Sequence, residues 1–194
     1  MIDPWINARL SPDGTVKDVR GDHVGRYQWA ATRAKGLVLD AGCNSGYGTA
    51  ILADAGFMVE GIDCWREGLE WASEHYDRPN IKYTLGDLRD LGAVPLYSHT
   101  VVAFEVIEHL ANPELFLRQA RTFAHTLLAS VPNEDVWAWQ PRLAPVHHRH
   151  YTKDDFRALL LRCGWTPEQW YGQVGGSSPV EPDVNGRTIV VECR

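Results

Sequence analysis

The stretch from Val38 to Gly48, VLDAGCNSGYG, constrains this chain more than any other, because an apolar strand end breaks into a glycine-rich turn and then into a helix. Val38 and Leu39 read as the end of a buried parallel strand. Gly42, Gly46 and Gly48 permit a bend and a backbone approach that a side chain would block. Tyr47 to Ala55 (YGTAILADA) has the length and composition of the following helix, closed by Gly56. The next apolar run, MVEGID, ends in Asp63, 21 residues after Gly42. An acid at that distance meets the ribose hydroxyls in nucleotide-binding strand-helix-strand units, so the turn is expected to hold a nucleotide-like cofactor.

Glycine spacing narrows the cofactor. A dinucleotide fingerprint needs glycine at relative positions one, three and six. From Gly42 these positions hold Gly42, Asn44 and Tyr47, and from Gly46 they hold Gly46, Gly48 and Ile51, so neither frame fits. That counts against a nicotinamide-dependent oxidoreductase. The run instead resembles motif I of the class I S-adenosylmethionine-dependent methyltransferases, acid-x-Gly-x-Gly-x-Gly, with Asp40, Gly42 and Gly46 on pattern and Asn44 at the middle glycine. Asparagine tolerates positive φ better than other non-glycine residues, so the turn is expected to survive the exchange. A protein that binds the cofactor without turnover is the alternative that Asn44 raises.

The resemblance spans roughly residues 22 to 193. In the family a Gly-Asp pair after the third strand lies near the adenine, and IKYTLGDLRDL supplies Gly86, Asp87 and Leu88. The fourth strand ends in an acid facing the methyl donor, and TVVAFEVIEHL supplies Phe104 and Glu105, followed by Glu108 and His109. SVPN at Ser130 to Asn133 resembles the end of the fifth strand, and HHRHYTKDDFRALLLRCGW the passage from an active-site loop into the last helix. Upstream, GDHVGRYQWA resembles an N-terminal helix whose tyrosine, here Tyr27, lies over the cofactor. The resemblance thus implies S-adenosyl-L-methionine as cofactor, held by Tyr27, Asp40, Gly42, Cys43, Asn44, Ser45, Gly46, Asp63, Cys64, Trp65, Gly86, Asp87, Leu88, Phe104 and Glu105. Asp40, Asp63, Asp87 and Glu105 all fall at strand ends, and a ligand bearing a sulfonium, an ammonium and a ribose diol would offset that gathering of charge. For Asp40, a role in capping backbone is as good a reading as direct contact.

Strands alternating with helical patterns imply an α/β fold: a doubly wound, seven-stranded, mostly parallel sheet with helices on both faces and an antiparallel last strand. The 194 residues suit one such domain over 22–194, preceded by an irregular arm, residues 1–21, rich in proline and glycine with Trp5 as its anchor. Asp22 is positioned to cap a helix with Val24, Tyr27, Ala31 and Ala34 inward as far as Gly36. Asn112-Pro113-Glu114 signals another helix start, and Thr152 with Asp155 a third. Thr166 to Gln173 and Arg187 to Cys193 read as closing strands around the loop GQVGGSSPVEPDVNG.

A formal net charge of -6 and a pI near 5.7 argue against a broad nucleic-acid footprint. Four scattered cysteines without a C-x-x-C pair fit reduced thiols in a cytoplasmic protein, and no run is long enough for a membrane span. The expected reaction is O-methylation of a small-molecule or sugar-like acceptor; methyl transfer to nucleic acid with a divalent metal is the alternative. The oligomeric state is left open. Where the acceptor must lose a proton, histidines are the candidate bases: His109 after the fourth strand, and His147 and His150, with His148 between them, before the last helix. The expectation is a site without metal. The competing set is Glu105, Glu108 and His109 on one helix face, if Glu105 opens a helix, plus one of the later histidines.

Overall fold

Thr100–Phe104 and Thr126–Pro132 are buried along their whole length, as strands covered on both faces must be. The computed structural model describes residues 21–91 and 98–194. In chain order they form α1 (Gly21–Ala31), β1 (Val38–Ala41), α2 (Tyr47–Asp54), β2 (Val59–Asp63), α3 (Arg66–His75), β3 (Ile81–Leu85) and β4 (Thr100–Phe104). After a 3-10 turn (Ile107–His109) come α4 (Pro113–Phe123), β5 (Thr126–Pro132), α5 (Lys153–Arg162), β6 (Pro167–Gln173), β7 (Glu181–Pro182) and β8 (Thr188–Cys193). The expected arm of residues 1–21, with Trp5, lies outside the described residues except for Gly21, which opens α1.

The sheet order is β3-β2-β1-β4-β5-β8-β6-β7. β1 to β5 are mutually parallel, β8 runs antiparallel to β5, and β6 and β7 complete that edge in antiparallel pairs. Alternation along the strands builds two cores. Val101 and Ala103 of β4 pack with Phe116 and Leu117 of α4 and Phe156 and Leu160 of α5, while Val102 and Phe104 pack with Tyr27 and Trp29 of α1 and Leu52 of α2. The chain winds outward from β1 to β3 and then returns to β4 on the other side of β1. That reversal opens a crevice beyond the carboxyl ends of β1 and β4.

Several local expectations are corrected. Among the described residues the sheet has eight strands rather than seven. The addition, Glu181–Pro182, pairs two exposed residues with Tyr171 and Gly172, too short a segment for alternation to reveal. Asp22 lies in the first turn of α1 instead of capping it, and the helix stops at Ala31. Its buried face is Asp22, Arg26, Tyr27, Trp29 and Ala30; Val24, Ala31 and Ala34 are only partly buried, because a charged pair occupies part of the inward stripe. Asn112 precedes Pro113 as expected, but its side chain makes no capping bond. Thr152 does cap α5: its hydroxyl accepts the Asp155 N–H at 3.1 Å and donates to the Asp155 carboxylate at 2.7 Å. Glu105 opens no helix. It takes φ 54° immediately after β4, and the 3-10 turn starts two residues later.

Candidate functional site

The glycine turn leaves β1 and enters α2 through Gly46 at φ 84°, where a Cβ would lie 2.5 Å from that of Ala72 and 2.6 Å from the Tyr83 hydroxyl. Any side chain there would combine backbone strain with a clash. Gly48 admits the Tyr27 ring against the backbone of α2, and a Cβ would collide with it. Asn44 sits at φ 55°, the left-handed conformation its residue type predicts.

Asp63 ties this turn to the next element. Its Oδ2 accepts the Asn44 N–H and its Oδ1 the Trp65 N–H, each at 2.9 Å, while its backbone carbonyl accepts the Gly86 N–H at 3.0 Å. Each carboxylate oxygen keeps a further lone pair, so the same clamp can receive ribose hydroxyls. Cys43 and Ser45 are buried in the turn, Cys64 is exposed beside Asp63, and Trp65 is buried at the start of α3. All four cysteines are free thiols.

Asp40 lies deeper. Its carboxylate is wholly buried and accepts the Tyr27 hydroxyl at 2.9 Å and the Thr49 hydroxyl at 2.6 Å. Burial pushes its pKa up to about 6, against the two hydroxyl bonds, with a smaller upward contribution from Asp63. The partners are side-chain hydroxyls rather than the backbone groups that a capping role would use. Tyr27 is itself buried, with its ring edge-on to Phe104 at 5.2 Å. Together these residues brace the turn from beneath.

Asp87 is half-buried and accepts the Arg89 N–H at 2.8 Å and its guanidinium, which hold its carboxyl below the usual range; Leu88 beside it is buried. Glu105 is anchored to β5: its N–H donates to Ser130 Oγ at 3.1 Å, and its Oε1 accepts that hydroxyl at 3.0 Å. Burial works to raise its pKa, but the charge of Arg26, then His23, Ser130 and His109 outweigh it and keep Glu105 below the usual glutamate range. Arg26 is a site residue that the sequence reading missed. It is fully buried, donates from Nη1 to Gln173 Oε1 at 2.6 Å and lies 3.7 Å from Asp22, while Nε and Nη2 have no hydrogen-bond partner among the described residues. Its signal in the sequence was the four-residue spacing from Asp22 on α1, a spacing that puts both on one face.

The histidines do gather. The His148 N–H donates to the Glu108 carbonyl at 2.8 Å, which draws the loop before α5 onto the 3-10 turn after β4. The His109 and His147 rings meet edge-on with centroids 4.5 Å apart, and His147 Nδ1 lies 2.8 Å from His150 Nε2. His150 Nδ1 donates to the Trp137 carbonyl at 2.7 Å, and His109 Nδ1 to that of Val146 at 3.2 Å. Burial, then His109 and His150, lower the His147 pKa to about 4. The Trp137 ring flanks His150 at 4.7 Å and lies under the Arg187 guanidinium at 4.5 Å. It is therefore a wall of this cluster. His148 points its side chain to the exposed side and takes no part.

This arrangement, with a nucleotide-type turn at the switch point and acids at four strand ends, is what a class I methyltransferase requires. Comparison with known proteins agrees. Residues 39–125 match the family described as "Methyltransferase domain". A "probable S-adenosylmethionine-dependent methyltransferase" of Mycolicibacterium smegmatis is 29% identical over 174 residues, 87% of this chain and 67% of that protein. A ubiquinone biosynthesis O-methyltransferase of Azorhizobium caulinodans is 29% identical over 180 residues, 83% of this chain and 71% of that one. The chain therefore spans about two thirds of the length of these relatives. Among solved structures, the CcbJ methyltransferase of Streptomyces caelestis superposes with a TM-score of 0.73 over 99% of both chains at 16% identity. Magnesium protoporphyrin IX methyltransferase of Synechocystis with bound S-adenosylmethionine superposes at 0.62, covering 89% and 76%, at 21% identity. The fold is that of the class I, Rossmann-like methyltransferases, and the matched methyltransferase domain together with the relatives supports S-adenosylmethionine as the cofactor. No helix among the described residues is long and apolar enough to cross a membrane.

Proposed function

We propose that the enzyme methylates an oxygen of a small, hydroxyl-rich acceptor, of the sugar or diol type, held beyond the ends of β4 and β5. The observation that carries this reading is the cluster of Glu108, His109, His147 and His150, which presents imidazole lone pairs and a carboxylate beside the strand end where the methyl donor is expected. Methyl transfer from a sulfonium asks little covalent chemistry of the protein. Alignment of donor and acceptor at about 3–3.5 Å supplies up to ~7–11 kcal/mol, and a hydroxyl acceptor needs, in addition, a destination for its proton. Several relatives bear the name of an O-methyltransferase, which agrees with this choice. The formal charge of -6 favours a small acceptor over a nucleic acid.

In this reading Asp63 takes the ribose hydroxyls, Asp87 the adenine side, and Glu105 the sulfonium side. The methionine carboxylate would face the two unpartnered nitrogens of Arg26. Asp40 and Tyr27 act as positioning residues under the turn. The test is a panel of catechols, sugars, amines, thiols and short RNA, each incubated with S-adenosylmethionine and read by release of S-adenosylhomocysteine and by mass of the product. Turnover restricted to hydroxyl compounds supports the proposal, and preferential methylation of amines, thiols or RNA would sink it.

A further inference from the structure

We propose that the cavity between the start of α4 and the start of α5 binds a small oxyanion, a carboxylate or a phosphate monoester, at a place separate from the methyl-transfer crevice. The cavity holds about 250 Å³, too little for a nucleotide, and its walls include Pro113, Glu114, Arg149, Tyr151 and Arg162. It lies on the face of the sheet that α4 and α5 cover, opposite the face of α1 and α2. Tyr151 is the residue that points to a ligand. Only 5% of it is exposed, and its buried hydroxyl has no hydrogen-bond partner among the described residues. A hydroxyl taken out of water is costly unless its bond is made, and the cavity is the space from which a partner can reach it. Burial pushes the Tyr151 pKa up to about 12, against the charge of Arg149, so the group stays a hydrogen-bond donor at neutral pH.

The surroundings of that hydroxyl favour an anion. Arg149 is partly buried, and its Nη2 donates to the Ala111 carbonyl at 2.9 Å, which fixes the guanidinium at the cavity wall. A guanidinium carries five N–H donors in a planar fork, so one bond to a carbonyl leaves others for a ligand. The helix α4, 11 residues long, starts at the same wall without a side-chain cap: Asn112 makes no capping bond, and Pro113 has no N–H. The amides that follow in its first turn lack intrahelical acceptors, and the positive end of the helix dipole lies there. Two carboxylates also line the cavity. Glu114 is shared by Arg118 at 3.3 Å and Arg162 at 3.4 Å, and Asp155 accepts the Thr152 hydroxyl at 2.7 Å. Arg118, Arg149 and Arg162 thus stand against two acids, a surplus of positive charge in a chain whose net charge is -6.

The same two residues tie the cavity to the histidine loop. Arg149 and Tyr151 flank His150, the Tyr151 N–H donates to the Pro132 carbonyl at 3.2 Å, and the Tyr151 carbonyl accepts the Glu134 N–H at 2.9 Å. An anion held by Arg149 and Tyr151 would brace that loop from the side away from the cofactor. Binding here depends neither on the acceptor nor on methyl transfer. The experiment is titration of the full chain, saturated with S-adenosylhomocysteine to occupy the crevice, with inorganic phosphate and separately with acetate. Backbone amide signals of Ala111, Glu114 and Tyr151 in nuclear magnetic resonance report the binding, and chloride at equal ionic strength is the control. We expect a saturable shift of these signals with at least one oxyanion, phosphate alone marking a phosphate ester and acetate alone a carboxylate as the ligand class. Tyr151→Phe and Arg149→Gln should each weaken it about tenfold or more, with S-adenosylhomocysteine affinity unchanged. Tyr151→Phe should not lower the thermal midpoint, because it removes a hydroxyl that bonds to nothing in the chain, and it keeps the test decisive if Arg149→Gln fails to fold. Arg157→Gln, on the exposed side of α5, should change nothing. The absence of a saturable shift with either anion, an equal shift with chloride, or binding undiminished in Tyr151→Phe overturns the proposal, as does saturation by ethylammonium in place of the anions.

Discussion

Asp63 accepts two backbone amides, those of Asn44 and Trp65, and so fixes the glycine turn between β1 and α2. Hydrogen bonds to a charged acceptor contribute about 1.5–3 kcal/mol each. Asp63→Ala should therefore do two things at once: lower the thermal midpoint and weaken S-adenosylmethionine binding by more than tenfold, about 1.4 kcal/mol, in calorimetry. Unchanged affinity would remove Asp63 from the cofactor site. Asn44→Gly gives the opposite kind of outcome. The residue already occupies the left-handed region, so glycine should retain binding and change stability by less than ~1 kcal/mol, measured by urea unfolding. That conformation was legible because residue type alone carries it. The burial of Asp40 was not legible. Its two hydroxyl partners, Tyr27 and Thr49, lie 13 and 9 residues away on different helices, and only the packing of α1 and α2 on β1 brings them together.

At the level of elements, periodicity identified the strands and helices that carry a long apolar face, and failed where an element is short or half polar. α5 illustrates the first case. Thr152 caps its start, Phe156 and Leu160 enter the core, and Gly164 follows its end at φ 85°. Phe156→Ala should cost about 3–5 kcal/mol of stability and Thr152→Ala about 1 kcal/mol, both measurable from denaturant midpoints. The 3-10 turn Ile107–His109 illustrates the second case. A three-residue element has no period to detect, and the helix face supposed to join Glu105 to Glu108 does not exist, because Glu105 turns away at positive φ. The contact between this turn and the loop before α5 is made by long-range bonds, the His148 N–H to the Glu108 carbonyl and His109 Nδ1 to that of Val146. No local pattern encodes such bonds. The histidines were legible as residues of interest, but their mutual geometry was not.

For the whole molecule, the doubly wound order opens a crevice where β1 and β4 diverge, and Asp40 is buried on β1 beside it with its pKa raised to about 6 from an ordinary value near 3.8. A buried acid of this kind leaves a signature in stability against pH. Between about pH 4 and pH 6 the folded state holds the Asp40 proton more tightly than the unfolded state does. The folded protein binds more protons in that window, so the Asp40 contribution to stability is largest below it and is lost as pH rises through it. Asp87 and Glu105, held below their usual range, act in the opposite sense and lose stability as pH falls. Urea unfolding of the wild type and of Asp40→Asn, compared at each pH, separates the two. The difference, wild type minus variant, should decline by on the order of 3 kcal/mol from pH 4 to pH 7. The remaining carboxylates cancel in it. A flat difference, or one that grows with pH, would mean that Asp40 is charged in the folded protein throughout and that the brace beneath the turn is an ion rather than a shared proton.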